Sequence, residues 1–177
     1  MKIAVFCSAN NQIDPDFFEL TRAMGLRLGA AGHTLVYGGC NLGLMGCLAR
    51  AWKDAGGHTV GVIPRSFTHD GKLCDFLDEV HYTQNLSDRK DLMLSLADAV
   101  VALPGGIGTL DEVFTVAAPA TCGFHHKRVI LYNVKGFWNS LLALLDDLQN
   151  HGMIRGDYHT QITAASTLGQ LTEMLGA

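Results

Sequence analysis

The chain has 177 residues, of which 48% are hydrophobic, and its 13 basic and 17 acidic residues give a net charge of −4 at pH 7. This length suits one domain with a single sizeable core, which we expect to span residues 1–177. The acidic balance, without any basic run, argues against nucleic acid or an anionic membrane as the main partner. No apolar run reaches the ~18 residues of a membrane-spanning helix, and the first residues are typical of a strand rather than of a signal peptide.

The five cysteines and eight histidines bear on disulfides and metals. The cysteines are odd in number and lack C-x-x-C spacing, so we expect reduced thiols in a cytoplasmic protein. His125 and His126 form the one close histidine pair, and their spacing does not suit two metal ligands on one helix face. We therefore expect no metal site.

The first part of the chain alternates strand and helix patterns. Short apolar runs predict strands over residues 3–7, 34–37 and 58–63, and a polar loop, residues 8–11, follows the first of them. Apolar residues at helical spacing predict one helix that opens at Asp14-Pro15 and ends at Gly32, and another over residues 47–56.

A glycine-rich loop, residues 38–46, lies between the second strand and the second helix. Its glycines are not in the usual dinucleotide-binding order, and no acidic residue follows the next strand to bind a ribose hydroxyl. The sequence therefore does not favour a nicotinamide-dependent oxidoreductase. The loop still lies at a strand's carboxyl end, where ligands bind in parallel sheets.

Residues 64–78, which include Phe67, His69, Gly71 and Cys74, predict an irregular loop over this crevice, and residues 79–83 suggest another strand. Ser87 or Asp88 can then cap a helix that carries Arg89 and Lys90 in its first turn. The helix dipole disfavours cations there, and Arg89 shares the inward stripe of this helix. A buried arginine needs an anion, either a ligand or an ion pair with Glu79 or Asp111.

The densest signal is the stretch from residue 97 to residue 112. An apolar run over residues 99–103 predicts a central strand, which stops at Pro104 and is followed by three glycines within four residues. Thr109 and Glu112 fit a capping box at the start of the next helix. A glycine loop between a strand and a helix N-terminus can hold a phosphate, although a plain turn with a structural glutamate fits the same residues.

The helix that follows carries no charge over residues 113–122, which predicts burial on all sides, including a subunit interface, with a kink at Pro119. Further patterns predict a strand over residues 129–133, helices over 138–148 and 168–175, and loose structure over 151–166. The order of elements predicts an α/β fold with a doubly wound, Rossmann-like parallel sheet and helices on both faces.

Residues 104–112, Pro-Gly-Gly-Ile-Gly-Thr-Leu-Asp-Glu, resemble the P-G-G-x-G-T-x-x-E motif of the "lonely guy" (LOG) family. Residues 38–46 are similar to that family's G-G-G-x-x-G-L-M-G, and Arg89-Lys90 to its R-K pair. The LOG family comprises cytokinin riboside 5'-monophosphate phosphoribohydrolases, once labelled lysine decarboxylases. The similarity extends from the first strand to residue 137.

The resemblance implies a homodimer without a redox cofactor that hydrolyses the N-glycosidic bond of an AMP-type nucleotide to free base and ribose 5-phosphate. It implies Arg89 and Glu112 as the catalytic pair. With the strand-end loops it gives these expected nucleotide- or phosphate-binding residues: Ser8, Gly38, Gly39, Gly43, Met45, Lys90, Gly105, Gly106, Ile107, Gly108 and Thr109. Glu112 suits stabilisation of a cationic ribose and activation of water. The acid that protonates the leaving base stays open between Asp88, Asp91 and Asp111.

This chain departs from the family pattern around the base. Cys40 replaces the third glycine of the first motif, Leu86-Ser87 replaces Met-His, and Pro119 and Thr121 replace Trp and Gln. A cytokinin nucleotide, plain AMP and another nucleotide are all open as substrates. The main rival is a non-catalytic carrier of a nucleotide or of molybdenum cofactor, which has no need of Glu112. Lysine decarboxylation is least favoured, because no lysine suits a pyridoxal phosphate Schiff base.

Overall fold

The computed structural model describes residues 1–68 and 72–176. Its seven strands are β1 (Lys2–Phe6), β2 (Thr34–Tyr37), β3 (His58–Pro64), β4 (Glu79–Thr83), β5 (Ala99–Ala102), β6 (Val129–Tyr132) and β7 (Ile162–Ala165). Its α-helices are α1 (Pro15–Ala30), α2 (Gly43–Asp54), α3 (Leu86–Leu96), α4 (Ile107–Thr121), α5 (Asn139–Asn150) and α6 (Leu168–Leu175). Short 3-10 turns cover Arg65–Phe67, Val134–Gly136 and Tyr158–Thr160.

All seven strands pair in parallel in one sheet of order β4-β3-β2-β1-β5-β6-β7. The chain winds outward from β1 in one direction and then from β5 in the other, so the order reverses between these two central strands. Parallel sheets need cover on both faces, which explains why β5 and β6 are nearly uninterrupted apolar runs. The predicted doubly wound α/β fold is confirmed.

Two apolar layers cover the sheet. One unites Met24 and Leu28 of α1, Leu48 and Trp52 of α2 and Leu171 of α6 with one face of the strands. The other packs α3, α4 and α5 against the opposite face. These layers fix the helix axes, and with them the directions in which the helix N-termini point at the carboxyl edge of the sheet.

Two elements differ from the sequence-based expectation. Helix α2 begins at Gly43, four residues before the predicted start at residue 47, because the glycine loop is shorter than its composition suggests. The segment expected to be loose, residues 151–166, contributes the seventh strand, β7, which pairs along β6. Its sequence, Ile-Thr-Ala-Ala, is too short and too weakly apolar to stand out as an edge strand.

Helix α4 is buried on one face rather than on all sides within this chain. Val113, Val116 and Ala117 face the core, whereas Phe114 is 40% exposed. The helix continues through Pro119 to Thr121, although the proline has no N–H to donate to the carbonyl of Thr115. The expected kink stays a prediction, and the exposed apolar face requires a separate explanation.

None of the helices in the described ranges is both long enough and apolar enough to cross a membrane. All five cysteines lie in those ranges and all are free thiols.

Candidate active site

The candidate site is a crevice at the carboxyl edge of the sheet, where the strand order reverses between β1 and β5. The ends of these strands are bonded together, since Leu103 N donates to Phe6 O at 2.9 Å and Ser8 N donates to Pro104 O at 3.1 Å. A cavity of ≈ 340 Å³ opens beside them, lined by Cys7, Ser8, Asn10, Met45, Arg89, Gly106, Gly108, Thr109 and Glu112 among others. Open α/β sheets bind ligands at such a reversal.

The N-terminus of α4 points into this cavity. Its first residue is Ile107 and its N-cap is Gly106, so the expected capping box of Thr109 and Glu112 is wrong: Thr109 lies inside the first turn. No side chain of the described residues caps this terminus. The first N–H groups of a helix have no intrahelical acceptor, and here the helix dipole adds a positive potential. The arrangement suits an anion.

The glycines of this loop have different roles. A Cβ on Gly105 would lie 2.1 Å from Thr109 Oγ1, so this glycine lets the buried threonine pack against the loop. A Cβ on Gly106 or Gly108 would meet no atom within 4 Å. The fold therefore does not require glycine at the last two positions, whereas a ligand close to the backbone would. Ile107, between them, is 87% exposed.

Arg89 and Glu112 face one another across the cavity, with Arg89 Nη2 3.4 Å from Glu112 Oε1. Their side chains are 13% and 12% exposed. Within residues 1–68 and 72–176 this is the one ion pair of Arg89, and its Nε is buried without an acceptor. A buried guanidinium with unused donors can bind a further anionic or hydroxyl group.

The alternative partners considered for Arg89, Glu79 and Asp111, are wrong. Glu79 contacts His81 and Asp111 contacts Lys90. The reason is geometric: α3 and α4 lie side by side, which brings Glu112, one turn into α4, opposite Arg89.

Glu112 has an unusual acidity for a carboxyl group. The pKa of Glu112 is raised from 4.5 to about 7. Burial is the largest cause and outweighs the lowering effect of Arg89, while Asp111 raises the pKa and Lys90 lowers it. Both protonation states of Glu112 are therefore present at neutral pH. A carboxyl group with a pKa near the working pH is suited to proton transfer.

Gly38 makes room for the arginine. A Cβ at this position would lie 1.9 Å from Arg89 Nη2 and 2.6 Å from Met45 Cε. Any side chain here would displace the guanidinium from Glu112. The first glycine of the residue 38–46 loop thus shapes the site through Arg89.

Two N–H groups of the same loop, those of Gly43 and Leu44, are bonded within the protein. Gly43 N donates to Asn11 Oδ1 at 2.8 Å, and Leu44 N donates to Ser8 O at 2.9 Å. The N–H of Gly43 is thus bonded within the protein, and the role of Gly43 in nucleotide or phosphate binding stays a prediction. Gly43 has φ +55°, and a Cβ there would lie 2.5 Å from Ala9 C. Gly39, with φ +71°, lies against Ile63.

Lys90 lies outside the cavity. Helix α3 begins at Leu86 with Asn85 as N-cap, not Ser87 or Asp88, so Arg89 and Lys90 come after the first turn. The Lys90 ammonium contacts both carboxylate oxygens of Asp111, at 2.9 and 2.8 Å. The sequence placed Lys90 among nucleotide-binding residues, whereas its charge is used within the protein.

A second cavity of ≈ 430 Å³ adjoins the first and shares Ala9, Met45 and Arg89 with it. Its other walls come from Gly38, Cys40, Leu42, Phe67, Lys72 and Leu73. Phe67 was expected in a loop over the crevice, and His69 and Gly71 of that loop lie outside the described residues. Cys74 is buried in the core instead.

Sequence reasoning did not single out Asn11, which bonds Gly43, or Lys72 and Leu73 of the second cavity. The polar loop after β1 was a usable signal for Asn11, because strand ends share one edge. Leu73 pairs with Cys40 in an isolated antiparallel bridge. Such a long-range contact leaves no local pattern.

The three aspartates considered as acids for the leaving base do not line either cavity. Asp88 accepts from the Asn85 side chain, Asp111 binds Lys90, and Asp91 is exposed. Glu112 is the one acidic side chain among the described residues that lines the first cavity. In the part of the chain that is described, no three His, Cys, Asp or Glu side chains group as metal ligands would.

Comparison with known proteins gives a consistent set of relatives. The profile of a family described as "Possible lysine decarboxylase" matches residues 45–175. A probable cytokinin riboside 5'-monophosphate phosphoribohydrolase of Oryza sativa subsp. japonica is 36% identical, over 98% of this chain and 82% of its own length. A cytokinin riboside 5'-monophosphate phosphoribohydrolase of Rhodococcoides fascians is 39% identical, over 86% of this chain and 77% of its own.

Among solved structures, the molybdenum cofactor carrier protein of Chlamydomonas reinhardtii superposes with a TM-score of 0.74. It is 22% identical, over 99% of this chain and 95% of its own. At this identity the likeness concerns the fold alone.

The raised pKa of Glu112 predicts a pH-dependent effect of Glu112→Gln on stability. Between pH 4.5 and about 7 the folded protein holds a proton on Glu112 that the unfolded chain has lost. The free energy of unfolding of the wild type therefore falls as pH rises through this window, relative to a variant that cannot ionise. We expect urea unfolding to show that the free energy of unfolding of Glu112→Gln, relative to that of the wild type, rises by on the order of 2 kcal/mol between pH 5 and pH 8. A difference that does not change with pH would contradict the raised pKa.

Proposed function

We propose that this chain, which belongs to the LOG family of phosphoribohydrolases, hydrolyses the N-glycosidic bond of a nucleoside 5'-monophosphate such as AMP or a cytokinin riboside 5'-monophosphate. The products are the free base and ribose 5-phosphate. Curated relatives that share 34–39% identity over most of the chain carry this activity in their names. The observation on this chain that carries the proposal is the buried Arg89–Glu112 pair, 3.4 Å apart, beside an open helix N-terminus.

The 5'-phosphate binds at the N-terminus of α4. The N–H groups of the first turn point at it, and the empty space above Gly106 and Gly108 lets its oxygens approach the backbone. Thr109, 3% exposed, adds a hydroxyl to the same wall. The phosphate then fixes the ribose beside Glu112, one turn further along the helix.

Glu112 acts on the ribose carbon. Cleavage of the N-glycosidic bond builds positive charge on the sugar, which a nearby carboxylate stabilises, and the same carboxylate can accept the proton of the attacking water. The leaving base takes the bonding electron pair and a proton from solvent water. Arg89 holds the nucleotide through the donors that Glu112 leaves free. No metal or redox cofactor enters this scheme.

The base occupies the second cavity. That cavity meets the first at Arg89 and Met45, as the base must meet the ribose, and its walls are mostly apolar, with Phe67 and Leu73 suited to a flat ring. Cys40 and Lys72 also line this cavity. Cys40 replaces a glycine of the family motif, so the surface that meets the base differs from the family pattern. Adenine and an N6-substituted adenine both remain candidates.

The rival is a non-catalytic carrier of a nucleotide or of molybdenum cofactor. It draws support from the fold alone, which this chain shares with molybdenum cofactor carrier structures at 21–22% identity and with a molybdenum cofactor binding protein at 23%. A carrier has no need of a buried carboxylate with a pKa near 7 at the anion site. We therefore favour the hydrolase.

The proposed phosphate site predicts a strong preference for nucleotides over nucleosides. Each charge-assisted hydrogen bond contributes about 1.5–3 kcal/mol, so we expect kcat/KM for AMP to exceed that for adenosine by at least about a hundredfold. Part of the difference should appear in kcat, because the phosphate holds the ribose against Glu112. Release of free base, followed by chromatography, measures both rates.

Two arginine variants complete this test. Arg89→Ala should lose most of the activity towards AMP, whereas Arg128→Ala, an exposed residue at the opposite edge of the sheet, should retain it. Equal rates on adenosine and AMP in the wild type would mean that the glycine loop is only a turn.

The exposed face of α4 supports a homodimer. Phe114 and Ala118 line an apolar groove with Leu145 and Leu148 of α5 and with Met153, which is 75% exposed. Contiguous apolar surface of this kind is typical of a subunit interface. We propose that a second copy covers it in a two-fold dimer.

Light scattering of the eluting protein at micromolar concentration tests the dimer. The wild type should have twice the mass of the chain, and Phe114→Glu should shift it to the monomer. Tyr82→Glu, a matched change at a half-exposed aromatic on the edge strand β4, should remain dimeric. A monomeric wild type would contradict the proposed dimer.

We place the protein in the cytoplasm. The five free cysteines include two that are buried in the core, Cys7 and Cys74, and a reducing compartment keeps such thiols intact.

A further inference from the structure

Helices α3 and α4 are joined by two neighbouring ion pairs. Arg89 faces Glu112 at 3.4 Å, and the next residue of α3, Lys90, contacts Asp111, the preceding residue of α4, at 2.8 and 2.9 Å. The first pair lines the catalytic cavity, whereas the second does not. We call Arg89–Glu112 the inner pair and Lys90–Asp111 the outer pair.

The outer pair is well formed. The Lys90 side chain is 16% exposed and reaches both carboxylate oxygens, while Asp111 is 56% exposed and closes the pair towards solvent. Lys90 lines neither the first nor the second cavity. Its charge is thus committed to the neighbouring helix and is not presented to a nucleotide.

We propose that Lys90 is a positioning residue: through its contact with Asp111 it holds α4, and with it Glu112, in place opposite Arg89. The catalytic consequence rests on the proposed function, because a displaced Glu112 matters only if Glu112 acts on the nucleotide. The contacts between Lys90 and Asp111 do not depend on that function.

The charges around Glu112 give the outer pair its effect. Arg89 faces Glu112 from α3, the Lys90 ammonium is held on Asp111, the residue before Glu112 on α4, and Cys7, just after β1, lines the same cavity as Glu112. Asp111 raises the pKa of Glu112 and Lys90 lowers it, while burial remains the larger cause. Together the two charges of the outer pair offset one another, and removal of either one leaves the other uncompensated.

The test measures Glu112 directly. The side-chain carboxyl carbon of Glu112 in ¹³C-labelled full-length protein is assigned by its absence in Glu112→Gln and titrated by NMR. Lys90→Gln should raise the midpoint of this titration by about 0.5 pH unit, and Asp111→Asn should lower it by a similar amount. The double variant should return to within about 0.2 pH unit of the wild type if the two charges act as one pair.

Affinity for AMP at pH 9, measured by calorimetry, separates positioning from binding. Arg89→Ala should bind AMP at least about tenfold more weakly than Lys90→Gln does, because only Arg89 lies in the cavity. Equal losses in the two variants, or single variants whose titrations move in the same direction or not at all, would overturn the proposal. A wild type that fails to cleave AMP would refute the proposed function instead, and the titration would still decide the role of Lys90.

Discussion

The site depends on the burial of opposite charges where the sheet changes direction. β1 and β5 end side by side, and the helices α3 and α4 bring Arg89 and Glu112 together above them. At 3.4 Å the two groups attract one another without a full complement of hydrogen bonds, so burial still raises the pKa of the carboxyl group to about 7. If every hydrogen-bond donor and acceptor of the pair were bonded within the protein, few would remain to bind a substrate. This one combines a near-neutral carboxyl group with a guanidinium that retains free donors.

The glycines follow from the same constraint, but they serve it in two ways. Gly38 is required by the protein itself, because any Cβ would collide with the Arg89 guanidinium. Gly106 and Gly108 border empty space, and we propose that a ligand approaches the backbone there, at the start of α4. The two glycine loops therefore have different roles although their sequences look alike. The residue 38–46 loop makes room for the arginine, and the loop before α4 leaves the helix N-terminus open.

The sequence was sufficient for features that depend on local pattern. Strand and helix order, the N-cap at Asp14, the inward position of Arg89 and the placement of both glycine loops at one edge all follow from periodicity and topology. The sequence was insufficient for features that depend on contacts between distant segments. The partner of Arg89 depends on how α3 lies against α4, and the Lys90–Asp111 pair depends on the same packing. Thr109 was mistaken for a cap because glycines are poor helix formers, yet α4 begins at Ile107 and includes Gly108 in its first turn.

We propose that Glu112 performs chemistry at an anion site rather than completing a helix end. The most direct measurement incubates wild type and Glu112→Gln with a panel of nucleoside 5'-monophosphates and determines free base and ribose 5-phosphate, with binding measured in parallel. We expect the wild type to release both products in equal amounts, and Glu112→Gln to bind the nucleotide with similar affinity but to lose at least about a thousandfold in turnover, a loss of roughly 4 kcal/mol in transition-state stabilisation. Nucleotide binding without base release by the wild type, or undiminished turnover by Glu112→Gln, would contradict the claim.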